Sequence, residues 1–408
     1  MTPSLAASKP DTKQTKPLPL PDSDFYELAQ TLSAEELGLL KQVRAFMGEK
    51  VAPVIDKYWA EDAFPFDLLP GIRELNIAGT GFEGYGCAGG TTLFGGFVSM
   101  ELARVDSSIA TFHGVHGGLS MGSIFLCGSE EQKQKWLPPM ARMEKIGAFG
   151  LTEPNVGSGA SRGLETTARR EGNTWVLNGQ KKWIGNAPWC DLTIIWARDL
   201  GDGQVKGFIV ENKTTPGFKT EKIQNKMALR VVQNALITMT DCRVAEENRL
   251  QNDSSFRDTA RVLRMTRGGV AWIATGCMMG AYEHALAYAQ QREQFGKPIA
   301  SFQMVQDHLA QMVGNITAAQ CMVVRLSQLQ DQGKMKDEHA SLAKAFCTVK
   351  MRETVGHARE IMGANGILID HHVGRYVADA EALYTYEGTR EMNHLIVGRA
   401  VSGFSAFL

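Results

Sequence analysis

From Ser33 onward the chain places apolar residues at Leu37, Leu40, Val43, Met47 and Val51, three and four apart, with charged residues between them. That spacing predicts an amphipathic helix, and Ser33 with Glu36 supplies a capping box at its start. Helical spacing continues to about residue 145, broken by the glycine-rich Gly84-Tyr85-Gly86-Cys87-Ala88-Gly89-Gly90. Between about 149 and 250 the texture changes to short runs rich in β-branched and aromatic residues, among them Thr174-Trp175-Val176-Leu177, Leu192-Thr193-Ile194-Ile195-Trp196 and Gly207-Phe208-Ile209-Val210. These read as strands. Asn178-Gly179 signals a hairpin turn, and Asp191 and Gly217 punctuate neighbouring runs, so an antiparallel sheet is expected. After Pro216 the only proline is Pro298, and from about 256 the chain returns to long helical periods joined near 296, 333 and 363–366. Four or five long helices with short joints predict a bundle. Val270 to Tyr282 is apolar nearly all round, as befits a helix buried in that bundle or between subunits.

The first 24 residues carry five prolines among Lys, Ser, Thr and Asp, too little apolar material to pack and too much proline for a helix. The expected organisation is therefore a flexible arm over 1–24, a helical domain over 25–148, a β-domain over 149–255 and a helical bundle over 256–408. With 43 basic and 44 acidic residues the formal charge is −1. No global field draws the protein to nucleic acid or an anionic membrane, so a charged ligand must be met locally. The seven cysteines are scattered, without C-x-x-C or metal-ligand spacing, and read as reduced, buried thiols of a cytoplasmic protein with no metal. No segment has eighteen uninterrupted apolar residues, and the terminal Ala406-Phe407-Leu408 is not the Ser-Lys-Leu peroxisomal address.

The familiar nucleotide and metal motifs are missing: no G-x-x-x-x-G-K-[ST], no G-x-G-x-x-G between strand and helix, no H-E-x-x-H. Five other strings stand in order instead. They are Phe149-Gly150-Leu151-Thr152-Glu153-Pro154-Asn155-Val156-Gly157-Ser158, Asn178-Gly179-Gln180-Lys181-Lys182-Trp183-Ile184-Gly185-Asn186, Arg292-Glu293-Gln294-Phe295-Gly296-Lys297-Pro298-Ile299, Met362-Gly363-Ala364-Asn365-Gly366 and Tyr386-Glu387-Gly388-Thr389. Together they resemble the acyl-CoA dehydrogenase and acyl-CoA oxidase superfamily from about residue 30 to the C-terminus. The resemblance implies a mainly α fold with a helical N-terminal domain, a middle β-domain and a C-terminal four-helix bundle. It further implies bound FAD, an acyl-CoA substrate, a homodimer or homotetramer, and a place in fatty acid metabolism.

The resemblance also assigns residues. Glu387 is the base that takes the α-proton while the flavin takes a hydride from the β-carbon, giving a trans-2-enoyl-CoA. Such a base needs a carboxylate held against the carbon in a dry pocket. Leu151, Thr152 and Ser158 would meet the polar edge of the flavin ring, with Trp183, Ile184 and Gly185 beside it. Arg292, Phe295, Gln303, Glu360, Gly363 and Ala364 would reach the FAD of a neighbouring subunit, and Thr389 and Glu391 would approach the flavin. Ser158, Arg267, Gly388 and Arg399 are the candidates for substrate contact. Taken singly, Trp183 equally suits a core aromatic, Arg292 a solvated charge, Arg267 and Arg399 structural ion pairs, and Glu387 a carboxylate at a helix N-terminus. Some branches carry the base on an earlier helix; the position expected for it here is Gly276, which offers no carboxylate.

Three departures qualify the resemblance. The glutaryl-CoA branch, similar through Gly84–Gly89 and Glu101–Ser107, has an arginine where this chain has Ala110. Without that cation a distal carboxylate would be desolvated unpaired, which favours a short monocarboxylic acyl chain. Gly185 stands where most dehydrogenases have Thr. The missing side chain removes a hydrogen bond and opens space, and the same Trp-Ile-Gly-Asn string resembles plant short-chain acyl-CoA oxidases. The electron acceptor is accordingly either an electron-transfer flavoprotein or dioxygen. A flavin monooxygenase on the same fold is a further alternative, disfavoured because it has no need of Glu387. Gly159 stands where Asp is usual, with no consequence assigned.

Overall fold

The computed structural model describes residues 22–406. Most of the 1–24 arm and the terminal Phe407-Leu408 lie outside the described residues. The described end of the arm is anchored: Ser23 is buried with its hydroxyl on Glu283, and the Asp24 carboxylate accepts from the Leu28 and Ala29 amides at 2.8 and 2.9 Å.

The first block is helical: α1 (Ala34–Phe46), α2 (Ala52–Glu61), α3 (Leu69–Glu74), α4 (Thr92–Val105), α5 (Ser107–His113), α6 (Gly122–Cys127) and α7 (Glu130–Ala141). The capping box expected at Ser33 and Glu36 is present. A π-helical stretch, Gly114–Met121, joins α5 to α6.

Seven strands follow: β1 (Gly147–Gly150), β2 (Thr167–Glu171), β3 (Thr174–Gly185), β4 (Leu192–Asp199), β5 (Val205–Glu211), β6 (Phe218–Lys222) and β7 (Asn234–Ala245), with a single turn α8 (Ala160–Gly163) after β1. Their order is β1-β4-β2-β3-β7-β6, with β5 on β4. The expectation of a purely antiparallel sheet needs correction, because β1 and β2 run parallel to β4. Neither is joined to β4 by a hairpin, so no tight turn forces the antiparallel sense. Asn178-Gly179 is not the hairpin turn either. Gly172-Asn173 turns the chain between β2 and β3, while Gly179 sits in a bulge where a Cβ would lie 2.7 Å from Thr166 Cα.

A second break in register, between Lys181 and Ile184, re-aims the end of β3. Trp183 takes φ 67° and its ring stands 54 % exposed, while Lys181 and Ile184 turn inward.

Then come α9 (Phe256–Gln291), a short ribbon of β8 (Glu293–Gln294) and β9 (Lys297–Pro298), α10 (Gln303–Asp331), α11 (Asp337–Met362), α12 (Val373–Thr385) and α13 (Arg390–Ser402). Every residue from Val270 to Tyr282 is buried, as the all-round apolar pattern requires. Gly276 and Gly280 let α9 press onto α4: a Cβ would meet Met100 O at 2.2 Å and Arg104 O at 2.1 Å.

Charges lock α12 against the rest. Arg375 is buried between Asp56 (2.9 Å) and Asp106 (2.7 Å), and Asp379 accepts from Trp59 Nε1 (2.9 Å) and the Leu229 amide (2.6 Å). The helix that leads to Glu387 is thereby fixed to both the first helical block and the connection between β6 and β7. All seven cysteines are free; Cys321 is exposed and Cys87 half-buried, so not all of them are the buried apolar residues expected. Among the described residues no helix is long and apolar enough to cross a membrane.

Candidate active site

The segment Tyr386-Glu387-Gly388-Thr389 turns the chain between α12 and α13. Glu387 is held at φ 53° and Gly388 at φ 91°. A non-glycine residue in the left-handed region costs energy, so the surroundings must fix it. They do. Lys344, fully buried on α11, donates to Tyr384 O and Gly388 O at 2.8 Å each, and Asn393 Nδ2 donates to Gly388 O (2.8 Å) and Thr389 O (3.0 Å). Thr389 caps α13 through the Met392 amide, as expected.

Glu387 faces a cavity of about 320 Å³ between the π-helical stretch, α9 and α4. Its Oε2 accepts from Thr266 Oγ1 at 2.8 Å. Burial raises its pKa above the ordinary glutamate value, against the Thr266 hydrogen bond and the charges of Arg267 and Lys344. Burial likewise pulls Lys344 down to about 8 and Arg267 below its usual range, with Glu387 opposing both. The result is a proton acceptor in a mostly apolar chamber with two cations behind it. Among the described residues no lysine or arginine lines the chamber; its other described titratable groups are Tyr386 and His113, the latter pushed below its usual value by burial.

The base position expected on the earlier helix is corrected: Gly276 faces α4, and the α9 residue that touches Glu387 is Thr266.

A second group gathers at the edge of β3. The loop after β1 is fastened by the buried Lys181 ammonium, which binds Glu153 Oε1 (2.8 Å) and Leu151 O (3.0 Å). Glu153 also accepts from the amides of Glu165 (2.6 Å) and Thr166 (2.9 Å), and Lys182 N donates to Thr152 O (2.8 Å). Ser158 is exposed, and Trp183 offers an uncovered ring face. The Ile184 side chain is buried beneath it. At Gly185 a Cβ would find Val115, Asn234 and Val232 at 3.4–3.7 Å, ordinary contact distances, so room for a small side chain is left open there. Val115 also lines the Glu387 cavity, so the β3 edge and the chamber share a wall.

The third group lies at one end of the bundle. Arg292, Phe295 (93 % exposed), Gln303, Glu360, Gly363 and Ala364 are all exposed there. Glu360 meets His308 Nε2 at 3.5 Å, and His308 Nδ1 lies 2.9 Å from His357 Nδ1. No described hydrogen bond or ion pair joins this group to the loop after β1. Glu391 is exposed and paired with Arg390 (2.9 Å), and Arg399, at the exposed end of α13, is not part of the cavity wall. Gly159 is exposed with open space before it, and nothing in the structure explains it.

Sequence reasoning passed over Lys344, Thr266 and Lys181. None carried a signal in the chain itself: their partners lie 40 and 44, 121, and 28 and 30 residues away respectively.

Comparison with known proteins agrees with this layout. The N-terminal, middle and C-terminal domains of acyl-CoA dehydrogenase match residues 33–144, 148–242 and 256–402. An acyl-CoA dehydrogenase of Bacillus subtilis (strain 168) is 33 % identical over 377 residues, spanning 91 % of this chain and 99 % of the relative. A glutaryl-CoA dehydrogenase of Mycobacterium smegmatis, solved in complex with FADH2, superposes with TM-score 0.92 at 32 % identity, covering 96 % of this chain and all of that one. The butyryl-CoA dehydrogenase of Megasphaera elsdenii gives TM-score 0.86 at 32 % identity, over 91 % and 99 % of the two chains.

Proposed function

The chain belongs to the acyl-CoA dehydrogenase family, and from that premise we propose that it removes the α- and β-hydrogens of a short monocarboxylic acyl-CoA, with Glu387 as the base. As a member of the family it is an FAD-dependent oxidoreductase. The observation that carries the finer reading is Glu387 itself: a carboxylate of raised proton affinity, strained in its backbone and aimed into a mostly apolar cavity.

The residues present suit the cofactor. The fastened loop Leu151–Ser158 and the uncovered Trp183 ring, beside a strand that shares Val115 with the chamber, would hold the ring system. Arg292, Phe295, Gln303, Glu360, Gly363 and Ala364, gathered apart from that loop, suit the cofactor of a second copy, which supports a homodimer or homotetramer. FAD, when bound, supplies the two-electron acceptor for the hydride that leaves the β-carbon.

Within the chain, Thr266 orients one carboxylate oxygen of Glu387 and leaves the other for the α-proton. Lys344 holds the turn, and the apolar walls exclude water from the carbanion-like carbon. Ala110 is buried and among the described residues no lysine or arginine lines the chamber, which favours a substrate without a distal carboxylate.

The reduced cofactor is proposed to pass its electrons to an electron-transfer flavoprotein. Anaerobic butyryl-CoA is expected to bleach the yellow holoenzyme near about 450 nm, the flavin's own band. In air, with an electron-transfer flavoprotein supplied as acceptor, acyl-CoA should be consumed without matching peroxide; stoichiometric peroxide would turn the reading to an oxidase.

Thr266→Val tests the orientation of the base. Losing one hydrogen bond to a charged group should lower kcat/KM about tenfold at neutral pH. The acid limb of the pH profile should move to higher pH, because a bond that favours ionised Glu387 is gone. An unmoved profile would show that the hydroxyl plays no part.

A further inference from the structure

We propose that the cavity extends into a polar acyl-tail compartment, and that the acyl group it takes carries an uncharged hydrogen-bonding substituent at its far end, a hydroxyl or a carbonyl, recognised by Thr80, Ser327 and Gln330. This rests on the acyl-CoA reading above and deepens it.

The lining of α9 falls on two adjoining faces. Thr266, Val270 and Ile273 look toward Glu387, whereas Gly268 and Trp272 look toward α10 and α4, and Met265 beside them reaches Gly122 on α6. Gly269 belongs to both faces, and a Cβ there would meet nothing within 4 Å. A glycine inside a long helix costs stability relative to alanine, and here its missing side chain leaves a passage between the two compartments. Six residues separate Thr266 from Trp272, a rise of about 9 Å, so the far compartment lies within reach of an acyl chain whose α-carbon is at Glu387.

Trp272 forms a rigid floor. Its indole lies across Gly96, where a Cβ would stand 2.2 Å from Cε2, and packs on Phe97 with ring centroids 4.9 Å apart. Its Nε1 donates to Ser327 Oγ at 2.9 Å. Above the floor the walls are hydroxyls and an amide. Ser327 Oγ, having accepted from Trp272, keeps its proton for another partner. The Thr80 hydroxyl and the Gln330 carboxamide make no hydrogen bond to the rest of the described protein, although both line the cavity. A plain alkyl tail would cover these groups and leave them unpaired, a penalty a polar tail avoids.

Charge narrows the class. Among the described residues no lysine or arginine lines the cavity, and the Asp331 carboxylate sits just behind Thr92, bound to the Thr92 amide (2.8 Å) and hydroxyl. A carboxylate tail would meet an anion and no cation. An uncharged donor or acceptor is what remains.

The test uses the FAD-loaded enzyme with hexanoyl-CoA, 6-hydroxyhexanoyl-CoA and adipoyl-CoA, which differ only at the far end. The hydroxylated thioester should show kcat/KM at least about tenfold above the other two, as sites built to pair a hydroxyl do. The double variant Ser327→Ala, Gln330→Leu should bring its ratio to hexanoyl-CoA close to one. Binding of the corresponding 2-enoyl-CoAs, followed by calorimetry, should show the same order without any turnover. Equal or better use of hexanoyl-CoA by the unaltered enzyme, or a preference that survives the double variant, overturns the proposal. If no thioester bleaches the flavin, the dehydrogenation reading falls on its own, and the calorimetric order still decides whether the polar compartment selects its ligand.

Discussion

Glu387→Gln is expected to leave a folded, yellow protein whose flavin butyryl-CoA no longer bleaches, with the single-turnover rate down by roughly 10³-fold or more, within the range seen when a positioned general base is lost. The amide keeps the shape of the side chain and can still pair with Thr266 Oγ1, so affinity for an enoyl-CoA should stay within a few fold. The loss therefore belongs to kcat. The pH profile of the unaltered enzyme makes a second demand. A base works only when deprotonated, so kcat/KM must fall as pH drops through the folded-state pKa of Glu387. Because burial raises that value above an ordinary glutamate's, the fall should begin at higher pH than free glutamate would give. Residual bleaching in Glu387→Gln at near the original rate would place the base elsewhere. Thr266, the neighbour on α9, carries no carboxylate that could stand in.

The sequence made the order of helices, sheet and bundle legible because the hydrophobic period itself changes at each boundary. The capping box at Ser33 and the cap at Thr389 were legible for a related reason: a cap needs only residues three apart, and local rules suffice. Asn178-Gly179 shows where local rules fail. The dipeptide permits a hairpin turn, but the close approach of Thr166 makes the same glycine necessary inside a bulge, and the turn falls to Gly172-Asn173. Trp183 and Ile184 carry the same lesson. A break in register reverses which side chains face out, and no alternation of residue types announces it.

The site divides along similar lines. Glu387 stood out through its string and through the glycine that follows it. Its positive φ did not, nor did the partners that stabilise it, because they come from 121 and 43 residues away along the chain, on α9 and α11. Gly276 was expected to mark the alternative base position, yet it is fixed by the crossing with α4, where there is no room for even a methyl group. Which residue of a long helix faces a cavity depends on the rotation of that helix in the bundle. Tertiary packing alone sets that rotation.

Lys344→Met is expected to lower kcat by about 100-fold, the scale on which a displacement of roughly 1 Å at a reacting group is felt. Methionine keeps most of the stem's bulk but cannot donate, so Tyr384 O and Gly388 O lose their 2.8 Å partner and the strained turn at Glu387 loses a clamp. Desolvated carbonyls without a donor destabilise the turn, and Asn393 still holds one of the two. The charge acts in addition. The Lys344 ammonium favours ionised Glu387, so its removal should raise the glutamate's pKa further and move the acid limb of kcat/KM to still higher pH. Burial sets Lys344 itself at about 8, so in the unaltered enzyme the ammonium discharges as pH rises through that value, and Lys344→Met should lack any inflection there. A purely structural role predicts a lower melting temperature with an unmoved pH profile; a positioning role predicts both the kcat loss and the shifted limb. If Lys344→Arg, which keeps the charge and donors, restores the limb to its original pH while kcat recovers only in part, the electrostatic and geometric contributions of this lysine will have been separated.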